Sequence, residues 1–583
     1  MLSEGKLHHL PLPSLASTCK RYLEAVTPFL DGAGYAAASR LTEEFMAGPG
    51  PFLHAQLEKI DGYDVASFVH RFWIESYLES RAPLAIFQNP ACKCDPPRVF
   101  SAAPTLAGKI AQLIDRALAV HALIEQETLA PDRSGTRLWS MDQYPYLFAT
   151  SRVPGIKRDR IARYADSRHV LLLVHGKMFT LTVRDEQGVR ITLDNLVHAV
   201  QIALDDPTPG EPPLGLLTTL PRTLWAIERE RLMATHPMHA ANLHAIESAL
   251  LTVCIDPPVG PSDTAASRRA LLGEPGNRWY DHSLQFIVSE DGMLMANMEH
   301  SMLDGYTFLR LLSEMDRVER QTTSQADTAC RPHLLTWQTD DGLLQTLEMA
   351  RGRHAHAAGA IRNTVFDITL PDSRLLKQSG LSADFLAQFL FHLAYFRLRG
   401  SLPCTYETVS MRHFQCGRTE TLRPATAAMW QAVKELDANG ADIFTALDAL
   451  RAASQAHDRN MFACARGAGI DRHLFAMRVI AAQLNEPMPQ LFENADFQRF
   501  VGQYDLSTGA IPASAIRFST FGPATADGFG IGYTLKEATM RVSITATNDQ
   551  HARFCNLLQA GSLQLHAFLT GTYTENPHAL DLQ

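Results

Sequence analysis

His300 and Asp304 stand four residues apart in the stretch Ala296-Asn297-Met298-Glu299-His300-Ser301-Met302-Leu303-Asp304-Gly305, a little past the middle of the chain. An imidazole has an unperturbed pKa of about 6.5, so near neutral pH it can accept a proton and give it back. A general base needs that property when it must deprotonate a hydroxyl and then protonate a leaving group. Asp304 is placed to orient the loop carrying the imidazole. The HxxxDG pattern fixes only three positions and recurs by chance. The plain alternative is a loop histidine beside a helix-capping aspartate.

The flanking residues supply a scaffold for the histidine. Residues 284–288 alternate apolar and polar side chains, Ser289-Glu290-Asp291-Gly292 has turn chemistry, and 293–298 forms a second short strand, which predicts a hairpin. Phe308, Leu311, Leu312 and Met315 fall at i, i+3, i+4 and i+7, so a helix is expected to begin near Asp304 or Gly305. His300 then lies at a strand-to-helix junction, where a rigid framework presents side chains to a cleft. Helices are also expected over 12–31, 68–78, 107–129, 195–204 (N-capped by Asp194), 222–233 and 554–569, and from Ser382 to Gly400. Strands are expected over 170–174, 178–183 and 540–546.

A Pro/Gly-rich connector is expected at 205–213, and an inter-lobe link at Arg351-Gly352-Arg353-His354-Ala355-His356-Ala357-Ala358-Gly359. His354 and His356 in that link read as solvated, because no thiol or carboxylate stands beside them to complete a metal site. No other spacing marks a metal site. The coarse pattern predicts an α/β protein of two lobes, 1–345 with the His300 loop and 346–583 with binding elements.

At 583 residues the chain is too long for one core. Its 46% hydrophobic and 20% charged residues are those of an ordinary globular protein, and its net charge of −9 gives no reason to expect nucleic acid or an anionic membrane as partner. No run approaches the ~18 apolar residues of a membrane span. The most apolar stretch, 385–398, is interrupted by Gln388, His392 and Arg397 and reads as a buried helix. Met1-Leu2-Ser3-Glu4-Gly5-Lys6 lacks an apolar leader and Ala579-Leu580-Asp581-Leu582-Gln583 is no peroxisomal address, so a cytoplasmic location is expected. Nine scattered cysteines without a CxxC pair read as free thiols in a reducing compartment, and a monomer is expected.

Several stretches together resemble the carnitine/choline O-acyltransferase family. They include Leu12-Pro13-Ser14-Leu15, Met141-Asp142-Gln143-Tyr144, Ser151-Arg152-Val153-Pro154-Gly155 and Gly276-Asn277-Arg278-Trp279-Tyr280-Asp281. Further on come Glu299 to Gly305, Tyr406-Glu407-Thr408, Gly417-Arg418-Thr419-Glu420-Thr421, Asp471-Arg472-His473-Leu474, Leu506-Ser507-Thr508 and Phe521-Gly522-Pro523 with Asp527-Gly528-Phe529-Gly530. They follow the family's order along nearly the whole chain. The resemblance implies two lobes, each like chloramphenicol acetyltransferase, with an active-site tunnel between them. It implies acyl transfer from a thioester to an alcohol, with coenzyme A as co-substrate and no permanently bound cofactor.

Residue by residue, the resemblance makes His300 the general base and pairs Asp304 with Arg472 to fix the histidine loop. It makes Tyr406, Thr408, Thr419 and Arg472 acceptor-binding residues, carnitine-like because hydroxyls and a guanidinium suit a carboxylate. Phe521 matches a position near a trimethylammonium group. Ser507, Thr508 and Gly509 match the oxyanion loop, while Lys377, Arg374 and Asp384 fall where the thioester donor binds. Ser519 matches the acyl-channel position that is methionine in short-chain members and glycine in longer-chain ones, so medium or longer acyl groups are expected. Arg412 and Arg418 have a bland alternative as braces of sheet and loops.

Three departures stand out. The family's third oxyanion-loop residue is serine, and here it is Gly509, which leaves the donor to a neighbour such as Thr508 or Ser514, slows turnover, or leaves the charge to a cation on the substrate. Of two lysines for the CoA 3′-phosphate only Lys377 matches, with Ser373 at the other position and Arg374 adjacent. The spacing of Trp73 and Tyr77 is one residue short, which bears on one wall of the site. The missing lysine suits an alternative in which a carrier-protein pantetheine delivers a polyketide or fatty acyl chain to a non-carnitine alcohol or amine. A catalytically impaired scaffold is a third reading, opposed by intact His300, Asp304 and Arg472. Condensation domains are set aside because Glu299 stands where they carry a second histidine.

Overall fold

The computed structural model describes residues 4–63, 66–318, 330–438, 442–484 and 487–571. The C-terminal pentapeptide considered above lies outside them.

Two large mixed sheets organise the chain. The first has eight strands, in spatial order Pro332–Leu334, Lys177–Thr182, His169–Val174, Thr252–Asp256, Leu284–Ser289, Leu294–Met298, Ala91–Cys94 and Ile516–Thr520. Its third strand carries the continuous apolar run at 170–174. Val170, Leu172 and Val174 enter one core cluster while Leu171 and Leu173 enter another on the opposite face. A strand covered on both sides needs apolar residues at every position, and this one pairs parallel with Thr252–Asp256. The hairpin expected from the sequence is the antiparallel pair Leu284–Ser289 and Leu294–Met298, in register from Leu294 opposite Val288 to Met298 opposite Leu284.

The second sheet has six strands, ordered Arg362–Thr369, Thr539–Ala546, Phe529–Leu535, Leu506–Ala510, Thr405–Ser410 and Thr419–Leu422. Helix Ala383–Arg399 packs on it, with Ser382 accepting from the Phe385 amide and Gly400 ending it in the left-handed region (φ 76°). Only glycine enters that region without steric cost, which explains the sharp stop.

Residues far apart in sequence cross between these layers. Strand Ile516–Thr520 pairs with Ala91–Cys94 and completes the first sheet. Helices Leu15–Val26, Gly32–Ala47 and Pro49–Tyr63 share one apolar cluster with helix Asp471–Gln483.

Two local expectations are corrected. The stretch 351–359 is no loop but the last turns of helix Asp341–Ala360, whose Leu343, Leu347, Ala350 and His354 form the buried stripe. Alanine-rich sequence has high helix propensity, and the two glycines cost less than this stripe gains. His354 is accordingly buried, its Nε2 2.7 Å from the Leu272 carbonyl oxygen, while His356 is exposed. The helix expected after Asp194 is capped earlier, by Thr192, whose hydroxyl accepts from the Asn195 amide.

Candidate active site

His300 follows the strand Leu294–Met298 directly, and helix Gly305–Arg317 begins at the end of its loop. The imidazole is half-buried, with Nδ1 2.6 Å from the Leu303 carbonyl oxygen. A carbonyl only accepts, so Nδ1 carries the hydrogen and Nε2 keeps the lone pair a base requires. Burial pushes the imidazole below its ordinary pKa, with Asp304 pulling the other way, and so favours the neutral form.

Asp304 stands at the N-cap position of the helix, but its side chain makes no capping bond. It faces Arg418 instead, with Nη2 2.7 Å from Oδ1 and Nε 3.2 Å from Oδ2. Although burial opposes ionisation, this guanidinium holds the Asp304 carboxyl well below the usual range. The carboxylate partner is therefore Arg418, not Arg472. Arg418 lies at the end of a turn from Met411, closed by bonds that join Met411 to Arg418 and Gly417 to Phe414, which aims the side chain back at the loop. The same guanidinium donates to the carbonyls of His300 (3.0 Å) and Ser301.

Gln143 completes the clamp. Its Nε2 donates to Asp304 Oδ2 at 2.7 Å, and its Oε1 accepts from the Asp304 amide at 2.7 Å and the Thr307 hydroxyl at 2.9 Å. Glu299 has a structural role beside it, with an Arg152 ion pair at 3.2 Å and a bond from the Ser301 hydroxyl.

Helix His70–Glu79 builds one wall in spite of its altered spacing. Trp73 and Tyr77 are one helical turn apart and meet edge to face at 5.6 Å. Tyr77 then packs edge-on against His300 at 5.6 Å, and the Arg472 guanidinium lies 3.6 Å from the Trp73 ring centre. This contact is a close cation–π arrangement.

Arg472 is 4% exposed, and its guanidinium reaches the Thr419 carbonyl (2.8 Å) and the hydroxyls of Thr421 (3.3 Å) and Thr419 (3.4 Å). Among the described residues no carboxylate lies within salt-bridge distance of it. Glu420, raised to about 7 by burial, instead accepts from the backbone amides of Thr421 and Arg472. Tyr406 and Thr408 alternate with buried Thr405, Glu407 and Val409 on strand Thr405–Ser410, so both face the less buried side.

Strand Leu506–Ala510 carries the oxyanion candidates. Thr508 is buried, donating to the Tyr406 carbonyl at 2.9 Å and accepting from Gln388 of helix Ala383–Arg399 at 3.0 Å. That engagement removes Thr508 as a stand-in for the missing serine. Ser507 and Gly509 alternate to the opposite face, where a Cβ on Gly509 would lie 3.6 Å from the Phe521 ring. Ser514 is exposed. Beyond the strand, Ile511 comes within 3.8 Å of the Cβ position on Gly305, which joins this strand end to the histidine loop. Ser519 is 6% exposed and in register with Cys92, whose other neighbour is Ala296. Residues directly opposite share a face, so Ser519 belongs to the apolar face behind the histidine hairpin.

Of the residues expected to meet the thioester donor, Arg374 and Lys377 lie exposed on helix Ser373–Ser379, apart from the contacts just described. Asp384 accepts from the Tyr533 hydroxyl at 2.7 Å and belongs to a buried group with Glu407 and His457, which form an ion pair at 3.0 Å. Burial raises the Glu407 carboxyl to about 7 in spite of His457.

His300 and Arg472 are thus joined through the Tyr77 and Trp73 rings, in a fold whose relatives can be identified from sequence. The chain matches the profile of the choline/carnitine O-acyltransferase family over residues 10–560 and belongs to that family of O-acyltransferases. It is 27% identical to carnitine O-palmitoyltransferase 2, mitochondrial, of Xenopus tropicalis over 94% of this chain and 90% of that one. It is also 27% identical to carnitine O-acetyltransferase of Homo sapiens (97% and 94% covered) and 28% identical to peroxisomal carnitine O-octanoyltransferase of Bos taurus (93% and 92% covered).

Proposed function

We propose that this protein transfers a medium or longer acyl group from coenzyme A to the hydroxyl of carnitine, with His300 as general base. One observation carries the acceptor: the buried Arg472 guanidinium, flanked by Thr419 and Thr421 hydroxyls, has no carboxylate partner among the described residues. An ionised group so far from water is costly unless paired, and a bidentate carboxylate is the group its planar fork fits best. Carnitine brings a carboxylate, and its cationic head suits the Phe521 ring.

In the transfer, Nε2 of His300 takes the hydroxyl proton as oxygen attacks the thioester carbonyl. The proton passes to the departing thiolate when the tetrahedral intermediate collapses, so no covalent enzyme intermediate forms. Arg418, Asp304 and Gln143 hold the imidazole in place throughout. The active site is assigned to a tunnel between lobes 1–345 and 346–583, with Arg374, Lys377 and Asp384 on the donor side. A monomer in the cytoplasm remains our expectation.

The donor has a second reading, a pantetheine on a carrier protein, favoured by the single lysine match at Lys377. Mass spectrometry of products from acyl-CoA and acyl-pantetheine donors, each offered carnitine, choline and simple polyols, tests both readings. Acyl-carnitine formed faster from CoA than from pantetheine supports the proposal. Transfer to polyols but not carnitine, or equal rates with both donors, overturns the acceptor or the donor assignment respectively.

A further inference from the structure

Apart from the residues placed in the transfer, three side chains of metal-binding type meet beside the turn that carries Arg418. His70, Asp142 and Cys416 each offer one ligand atom, and those atoms lie within 4.8 Å of one another. They come from three separate segments: the first turn of helix His70–Glu79, the loop before Tyr144–Tyr146, and the turn that leads to Arg418. We propose that they bind a divalent transition-metal ion of the zinc class.

The donor set fits that ion. Imidazole nitrogen, carboxylate oxygen and thiolate sulfur are its three usual protein ligands, and a water can fill the fourth tetrahedral position. Bond lengths of about 2.0–2.3 Å at tetrahedral angles place ligand atoms roughly 3.3–3.8 Å apart. Side-chain rotation closes the remaining gap from the 4.8 Å limit. Binding displaces the thiol proton of Cys416 to solvent. The dication with one carboxylate and one thiolate is then neutral, so the site passes from a single negative charge to none beside Arg418.

Two further observations mark the place as built. Of the nine cysteines eight are buried and Cys416 alone is half-buried, so it is the thiol an ion can reach from solvent. Its backbone is in the left-handed region, at φ 48°, where a side chain is strained and glycine or asparagine is preferred. The turn holding it is tight: a Cβ on the next residue, Gly417, would fall 2.0 Å from the Met411 carbonyl oxygen. Asp142 is oriented in its turn, since the Ser140 hydroxyl donates to its Oδ1 at 2.8 Å, the kind of outer contact that fixes a carboxylate ligand.

The position gives the ion a mechanical consequence. His70, Trp73 and Tyr77 fall at i, i+3 and i+7 on one face of their helix, so an ion on His70 fastens the Trp73–Tyr77 wall to the turn carrying Arg418.

Cobalt(II) titrated into the full-length, chelator-treated protein tests this. One equivalent should produce a thiolate-to-cobalt charge-transfer band that zinc(II) then abolishes, and zinc(II) should raise the melting temperature. Cys416→Gly removes the ligand and relieves the positive φ, so it should melt no lower than the metal-free protein yet lose the band. His70→Ala and Asp142→Asn should each weaken cobalt(II) binding by about tenfold or more. No band at one equivalent, a band that survives in Cys416→Gly, or affinity unchanged in both other variants overturns the assignment.

Discussion

Arg418 pairs with Asp304 at 2.7 Å and at the same time bonds the carbonyl of His300 at 3.0 Å, so one guanidinium grips both ends of the histidine loop. It belongs to the turn before strand Thr419–Leu422 of the second sheet, while the loop follows a strand of the first. His300, the proposed general base, is therefore positioned from across the molecule.

This grip predicts a coupled loss. Asp304→Asn and Arg418→Met should each lower kcat, with a smaller change in the acceptor KM, because both act by placing His300. A double-mutant cycle on kcat/KM should show a coupling of about 1–3 kcal/mol, as for other directly paired groups. Strictly additive losses would mean the two residues act separately.

The base itself makes a second prediction. His300→Ala should reduce transfer at least about a hundredfold, the lower end of what a general base contributes. Only the neutral imidazole accepts a proton, and burial lowers its pKa, so activity should hold as pH falls from neutral and be lost only below about 6.5. Removing the Asp304 charge, which opposes that lowering, should move the acid limb lower still. A pH–rate profile of kcat/KM measures both; an acid limb above 7 assigns the titration to another group.

Gly509 gives a third. A Cβ there makes only ordinary contact with Phe521 at 3.6 and 3.8 Å, so Gly509→Ser should fold without strain. With Thr508 engaged on the other face, the added hydroxyl supplies an oxyanion donor, and kcat should rise about tenfold or more. An unchanged kcat in single-turnover measurements locates a sufficient donor elsewhere.

The fourth concerns acyl length. Ser519→Met adds bulk on the buried face shared with Cys92 and Ala296, and each methylene excluded from apolar contact forfeits about 0.8 kcal/mol. The optimum of kcat/KM across acetyl to palmitoyl donors should shift from medium or longer chains in the wild type toward short ones. An acetyl optimum in the unmodified protein removes Ser519 as the determinant.

Much of this architecture is legible in local pattern. The alternation at 284–298 and the apolar positions from Phe308 specify the hairpin and helix around His300, because period two and period 3.6 each bury one face. The Asp304–Arg418 pair is not legible in that way. Both arginines near it, Arg418 and Arg472, have the same chemistry, and only the turn at 411–417 decides which one points at the loop. Gln143 was visible within a recognisable motif, but its role depends on a contact across 161 residues of sequence. The helix over 351–359 was hidden by glycines whose local preference loses to a buried stripe set by tertiary packing.

The strand Ile516–Thr520 has a consequence for how the chain is made. Until it is added, Ala91–Cys94 is the open edge of the first sheet, with a row of unpaired amides and carbonyls. A ribosome must release residue 520 before that edge can close, although residue 91 emerged hundreds of codons earlier. The nascent first half therefore waits with a sticky border, a natural client for chaperones. For the same reason, cutting the gene between the two sheets would yield a fragment prone to aggregate, and co-expression of both pieces should restore solubility to it.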